Sequence, residues 1–465
     1  MPEGAAPRLA VLLPLSDIVS TTKEIDCCWL APLWAGFAMA LALADRKWQS
    51  EELPWQSHIL SLLAFSRALF LNLQLTATWH SWSVRLLSVT LVAVIFYAMA
   101  RVVRIPEEWR RRDMHHAYSW AACMLASCVL WHELRPLGVA VGWAAFGLIL
   151  FEYGLLRKIS QFRYQAYVAL VASFTRIFFA NLVSTAPGEF WGTRLYTIAP
   201  LVLIFFFVYA QLPEKTSSKE EGEEIARDRE LHVDALVACL GTAAIVALLR
   251  YEFMGEWVVT AWAALAFVLF AVGYLLRRDL FACQGMIVTV LTFWRGVAHN
   301  LFGSGYFTEG DWKGRYVVVS AAVALLLASL AFAFPLRKRN APPAGTTFAR
   351  RVLGAIARRP EQLQFFAATV LLWLMLTVKM NAGMKTVAWG IEGVGIIVLA
   401  LVVKERSFRL AGLGLLLLCV AKIMALDVWG LQARDRYVTL IIVGSALLLV
   451  SYLYSRYRET IRQFL

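Results

Sequence analysis

ELRPLGVAVGWAAFGLILFEYGLLRKISQFRYQAYVALVASFTRIFFAN, residues 133–181, is the stretch whose reading decides the fold. Trp143 is followed 33 residues later by Arg176, a cation inside an otherwise apolar run, with Glu133 ten residues before the indole and Asn181 five after the cation. The same skeleton returns at Trp34 with Arg67, at Trp262 with Arg295 and at Trp389 with Lys422, each pair again 33 residues apart. Glu24, Glu252 and Lys379 hold the place of Glu133, and Asn72, Asn300 and Asp427 that of Asn181. Successive anchors lie 109, 119 and 127 residues apart, so all length variation falls in the linkers. A fixed skeleton on a variable spacing is one structural unit used four times.

With 60% hydrophobic and 17% charged residues and a mean hydropathy of +0.62, 465 residues are too apolar for a soluble globular chain. Runs of about 20 apolar residues, enough to cross a hydrocarbon core of about 30 Å, occur throughout. In the second unit they fall near 115–133, 137–156, 162–183 and 193–212, and in the third near 232–250, 257–276, 280–301 and 314–335. The fourth unit has them near 361–380, 384–403, 407–428 and 435–457, and the first near 28–45, 58–75 and 82–103. Residues 8–23 read as a degenerate first helix, because Glu24 holds the place of Glu133 and Glu252, and because a signal peptide would need more than Arg8 as its positive start and a small-residue cleavage site before the polar Thr21–Asp26 segment. The expectation is an all-α polytopic membrane protein of four tandem four-helix repeats with 15 to 16 spans. Its units are residues 1–104, 105–212, 232–336 and 361–465, joined by linkers 213–231 and 337–360. The first linker is rich in Glu, Lys and Ser and reads as a solvated connector. In the second, Val352, Leu353 and Ile356 against flanking arginines predict a short helix on an anionic leaflet.

The formal charge of +13 is a topology signal, since 29 of the 45 Lys and Arg fall in the interunit linkers, the turns between second and third helices and the C-terminal tail. Four crossings per unit put those loops on one side, which the positive-inside rule makes cytoplasmic together with both termini. Charge so placed argues against a nucleic-acid partner. The seven cysteines form no CxxC pair and the seven histidines no chelating spacing, so no cofactor or metal site is expected.

This topology collects the skeleton at the outer face. Arg176 follows Phe162 by 14 residues, about 21 Å along a helix, and lands in the outer third of the membrane. A second cation opens each fourth helix: Arg85, Arg194 and Arg315 in Trp-x-x-Arg after Trp82, Trp191 and Trp312, and Arg436 alone in the last unit. Charges at such depth need partners. Glu133 with Arg176, Glu252 with Arg295 and Lys379 with Asp427 are expected as pairs within about 4 Å, forming interhelical clamps. The other reading of the same groups is a crevice for an anionic or sugar-bearing lipid headgroup. Pro200 reads as a mid-helix break. Glu152 and Glu392 occur once each and read as hydrogen-bonded buried carboxyls.

Lys422-Ile-Met-Ala-Leu-Asp427, the helix opened by Arg436 and its Leu-rich run ending Ser451-Tyr-Leu-Tyr454 resemble the close of a bacterial family of predicted membrane proteins, domain of unknown function number 2339. The Trp389 helix followed by Lys404-Glu-Arg-Ser-Phe-Arg409 is similar too. The resemblance covers the last unit well and the others loosely. It implies the fold and brings no activity.

Among functions, even spacing of the polar set favours a non-enzymatic scaffold or complex subunit of the cell envelope, in the bacterial inner membrane, with membrane lipids and other envelope proteins as partners. The alternative is a transporter or lipid-binding protein, though helix-broken inverted repeats are not evident. A transferase acting on lipid-linked sugars, with Glu133 or Glu252 as base, fits least, because acid–base work needs a distinguished pair in one unit.

Overall fold

The computed structural model describes residues 28–48, 52–79, 82–103, 116–182, 192–212, 232–253, 255–303, 312–337, 354 and 358–427, with isolated positions between 437 and 452. Glu24, Arg436, the stretch 8–23, linker 213–231 and most of linker 337–360 with its expected surface helix lie outside them, as does the Asp427 side chain.

Among the described residues the chain forms fourteen helices of 17 to 22 residues. They are α1 Leu30–Trp48, α2 Leu53–Phe70, α3 Val84–Val102, α4 Ala117–Glu133, α5 Val139–Leu156, α6 Ser160–Arg176 and α7 Thr193–Gln211. There follow α8 Val233–Glu252, α9 Val258–Leu275, α10 Asp279–Arg295, α11 Trp312–Ala328, α12 Pro360–Lys379, α13 Ala382–Val403 and α14 Arg406–Lys422. Ten of them, α3, α5 and α7 to α14, are long and apolar enough to cross a membrane. α1, α2, α4 and α6 do not reach that measure, and α1 carries Asp45, Arg46 and Lys47 in its last turn. One departure from all-α is a two-residue hairpin, β1 Thr78–Trp79 with β2 Trp82–Ser83, in the turn after Asn72. Ser83 then caps α3 by accepting from the Leu86 amide at 3.4 Å. Pro200 is no break: α7 runs unbroken through it. Apolar helices tolerate such a proline when neighbours re-satisfy the freed backbone groups.

The chain divides into two compact units, residues 1–186 with 191–245 and residues 246–465 with 187–190. In the first, α1 packs on α2 and α3, α3 receives α4, and α5 packs on α6 and α7. Phe205 and Phe206 of α7 pack against Gly241 of α8. In the second, α9 packs on α10 and α11, α12 lies against α11 and α10, and α13 pairs with α14. Thus α4 and α12, each read as the first helix of a repeat, rest most broadly on the helix that ends the preceding one.

Close backbone approach holds these pairs together. A Cβ on Gly154 of α5 would lie 2.9 Å from Arg163 Cγ and 3.1 Å from its amide nitrogen, and one on Gly412 of α14 would lie 3.0 Å from the Gly393 carbonyl. Small residues allow such seams where hydrocarbon outside offers no hydrophobic drive between helices. Outward faces remain apolar, with Leu203, Leu275, Val402 and Leu417 each more than 70% exposed.

Candidate functional site

The recurring skeleton becomes a recurring set of bonds. Fifteen residues after Trp143, Trp262 and Trp389, the chain turns through Lys158, Arg277 and Lys404 in the left-handed region, with φ of 55°, 54° and 59°. The next amide reaches back five residues each time: Ile159 to the Gly154 carbonyl, Arg278 to Gly273 and Glu405 to Ala400, at 2.9, 3.0 and 3.2 Å. This is the Schellman closure of a helix C-terminus, and it aims α6, α10 and α14 back along α5, α9 and α13.

Each returning helix ends in a π-helical turn just past its cation: Ile177–Asn181 after Arg176, Gly296–Leu301 after Arg295 and Ile423–Asp427 after Lys422. The Arg67 helix instead ends in a 3₁₀ turn, Asn72–Gln74. The turn delivers the amide side chain to the chain 44 residues earlier. Asn72 Nδ2 donates to the Cys28 carbonyl at 2.8 Å, Asn181 to Leu137 at 2.9 Å and Asn300 to Glu256 at 2.9 Å. All three asparagines are buried, Asn300 completely. Arg176 and Arg295 donate to the carbonyls 40 residues earlier, Pro136 at 3.5 Å and Gly255 at 3.0 Å. The accepting carbonyls precede the helices opened by Trp143 and Trp262, so each tie fastens the end of one helix to the start of its neighbour.

The indoles serve the same joint. Trp143 and Trp262 donate through Nε1 to the carbonyls 16 residues earlier, Ser127 at 2.9 Å and Val246 at 3.0 Å, while Trp389 donates to Thr377 Oγ1 at 3.1 Å. Arg67 lies 5.6 Å over Trp34, Lys422 5.5 Å over Trp389 and Arg176 4.1 Å over Trp131, whose ring stacks on Trp143. These are cation–π distances. Lys422 Nζ also meets Thr386 Oγ1.

Two of the three expected charge pairs do not form. Glu133 accepts from Arg85 Nε at 2.9 Å and Ser83 Oγ at 2.6 Å, not from Arg176. Arg85 also reaches the carbonyls of His132 at 3.1 Å and Leu73 at 3.4 Å. Because α4 rests on α3, the acid meets the cation that opens the preceding helix. Glu252 forms no ion pair with Arg295, whose described bond is to Gly255. Lys379 lies 3.6 Å over the Tyr316 ring at the start of α11, so a basic residue in the place of Glu133 finds a π face there. The expected Lys379–Asp427 contact falls on a side chain outside the described residues. Arg194 is buried near the start of α7 and Arg315 half-buried near the start of α11.

Two features were not foreseen. Arg337, after α11, holds Glu405 through Nη1 and Nη2 at 2.7 and 3.3 Å and lies 3.3 Å from Glu361. The Glu405 hydrogen bonds, with the Glu361 charge added, hold its guanidinium above the ordinary value despite burial. Only the composition of the linker, not any repeat, hints at this triad. The second is a side crevice of about 380 Å³ between α2, α3 and α4, lined by Trp55, Ile59, Leu62, Phe65 and Phe96. His58 Nδ1 and Tyr118 Oη bond at 2.6 Å in its wall. Among the described residues no group of three or more His, Cys, Asp or Glu could hold a metal ion.

A family model described as predicted membrane protein (DUF2339) matches residues 5–457. No curated protein matches the chain, and no solved structure does.

Proposed function

We propose, because the chain belongs to this family of predicted membrane proteins of unknown function, that it is a non-enzymatic scaffold or assembly subunit of the bacterial cytoplasmic membrane. In this reading it has four tandem four-helix repeats, 15 to 16 spans and cytoplasmic termini. Membrane lipids and other envelope proteins are its partners, and Glu24, Arg436 and their counterparts lie on the outer face.

One observation carries the reading: the buried asparagine tie made three times over the same 44 residues, at 2.8 to 2.9 Å. A set of groups repeated with equal geometry and spent on backbone carbonyls holds helices; it does not single out one place for chemistry. The test is Asn300→Ala. It orphans a buried carbonyl and leaves a small void, so it should cost about 1–3 kcal/mol. Thermal unfolding in detergent, followed by intrinsic fluorescence, reads this, with Asn181→Ala matching it within error. If both variants melt as wild type yet lose co-purified lipid, the polar set is a headgroup site instead.

That second reading has its own support in the crevice beside Trp55, apolar and aromatic with one polar pair in its wall, as small-molecule sites commonly are. Ala121→Trp should fill it. Loss of a retained lipid in native mass spectra of that variant would favour lipid binding over a purely structural role.

A further inference from the structure

Glu392 departs from the repeated plan. It stands three residues after Trp389, where Phe37, Phe146 and Leu265 follow Trp34, Trp143 and Trp262 by the same step. It is the eleventh of the 22 residues of α13, hence at the middle of a span. The residue is 8% exposed, and neither carboxyl oxygen has a hydrogen-bond partner, contrary to the hydrogen-bonded carboxyl expected from sequence.

Charged groups on the packed elements sit at helix ends. On α13 these are Lys385, 7 residues before Glu392 or about 10 Å along the axis, and Lys404, 12 after it or about 18 Å. On α12 they are Glu361 and Lys379, and on α14 Arg406, Arg409 and Lys422. Trp373 of α12 lies near this stretch of α13. Its ring lies 5.3 Å from that of Trp389, one helical turn before Glu392, and its Nε1 is buried without an acceptor. A carboxylate with no counter-charge at membrane depth is costly, whereas the same group carrying a proton is neutral.

We propose that Glu392 is a proton-binding site in the membrane interior. The ligand is a proton exchanged with bulk water. Binding forms the O–H bond of a carboxylic acid and release returns a carboxylate, with no other reactant. This gives the fourth repeat an ion-responsive element that the symmetric ties do not supply, and it does not depend on the scaffold reading.

Infrared difference spectroscopy of the wild-type protein in lipid nanodiscs tests it, with Glu392→Gln and Glu392→Leu as references. The leucine is the residue found at the matching position 265, so that variant keeps the apolar packing if the glutamine does not fold. At neutral pH the wild type should show a carboxylic acid carbonyl band absent from either variant. The band should move in heavy water and give way to a carboxylate band as pH is raised. Absence of the band at neutral pH, or a band that heavy water leaves in place, overturns the proposal. Conversion to carboxylate on adding sodium at constant pH also overturns it, in favour of a cation site.

Discussion

Replacing Arg337 by alanine should be the most damaging single change in the second compact unit. The guanidinium makes two bonds to Glu405, at 2.7 and 3.3 Å, and a 3.3 Å contact to Glu361. Side-chain exposures are 13% for Arg337, 11% for Glu405 and 0% for Glu361. Taking away the cation leaves two carboxylates in one poorly solvated pocket. Breaking a buried pair by removing one partner costs about 3–5 kcal/mol, and the residual water access of Arg337 puts the effect near the lower end, about 3 kcal/mol. At roughly 2–4 °C per kcal/mol for a unit of this size, the midpoint should fall by about 6–12 °C in a detergent melt. A second variant separates lost charge balance from lost packing. Arg337→Met with Glu361→Gln and Glu405→Gln removes all three charges and should recover most of the loss, because a matched neutral set leaves nothing uncompensated. A single Arg337→Ala variant within about 1 kcal/mol of wild type, or a triple variant as unstable as the single, would refute the argument.

Three further outcomes follow from the geometry. Glu133→Ala should destabilise by about 1.5–3 kcal/mol, since it strips Arg85 and Ser83 of a charged acceptor. Glu252→Ala, which breaks no ion pair with Arg295, should stay within about 0.5 kcal/mol in the same denaturation assay. Lys404, at φ 59°, should accept glycine with little change and lose about 1–2 kcal/mol as valine, whose branched Cβ resists the left-handed region; paired thermal melts decide it.

What the sequence made legible, and what it did not, divides along one line. The 33-residue Trp-to-cation offset is a property of the chain alone, and the ties at 40 and 44 residues follow from it once the helix pair closes on itself. Neighbours within such a pair are fixed by a short turn, so their spacing can be read. Which helix lies against the outside of the pair is set by packing, and a string of letters does not carry it. Glu133 had two cations within plausible reach, Arg176 at the end of α6 after it and Arg85 at the start of α3 before it. Charge complementarity cannot choose between them; the seating of α4 on α3 does, and it selects Arg85. The same seating explains Lys379. At the equivalent place, α12 rests on α11, whose opening residues include Arg315 and Tyr316. An acid there would have met a cation, as Glu133 does. The basic residue meets the Tyr316 ring, at 3.6 Å, so a π face receives the change of sign at Lys379. The left-handed residues Lys158, Arg277 and Lys404 were visible only as loop charge, because a basic residue in a turn has no signature of positive φ. Glu392 was visible as an exception, but its lack of partners was not. Repetition therefore reports what holds this protein together, and the groups that break it are where activity of any other kind has to be sought.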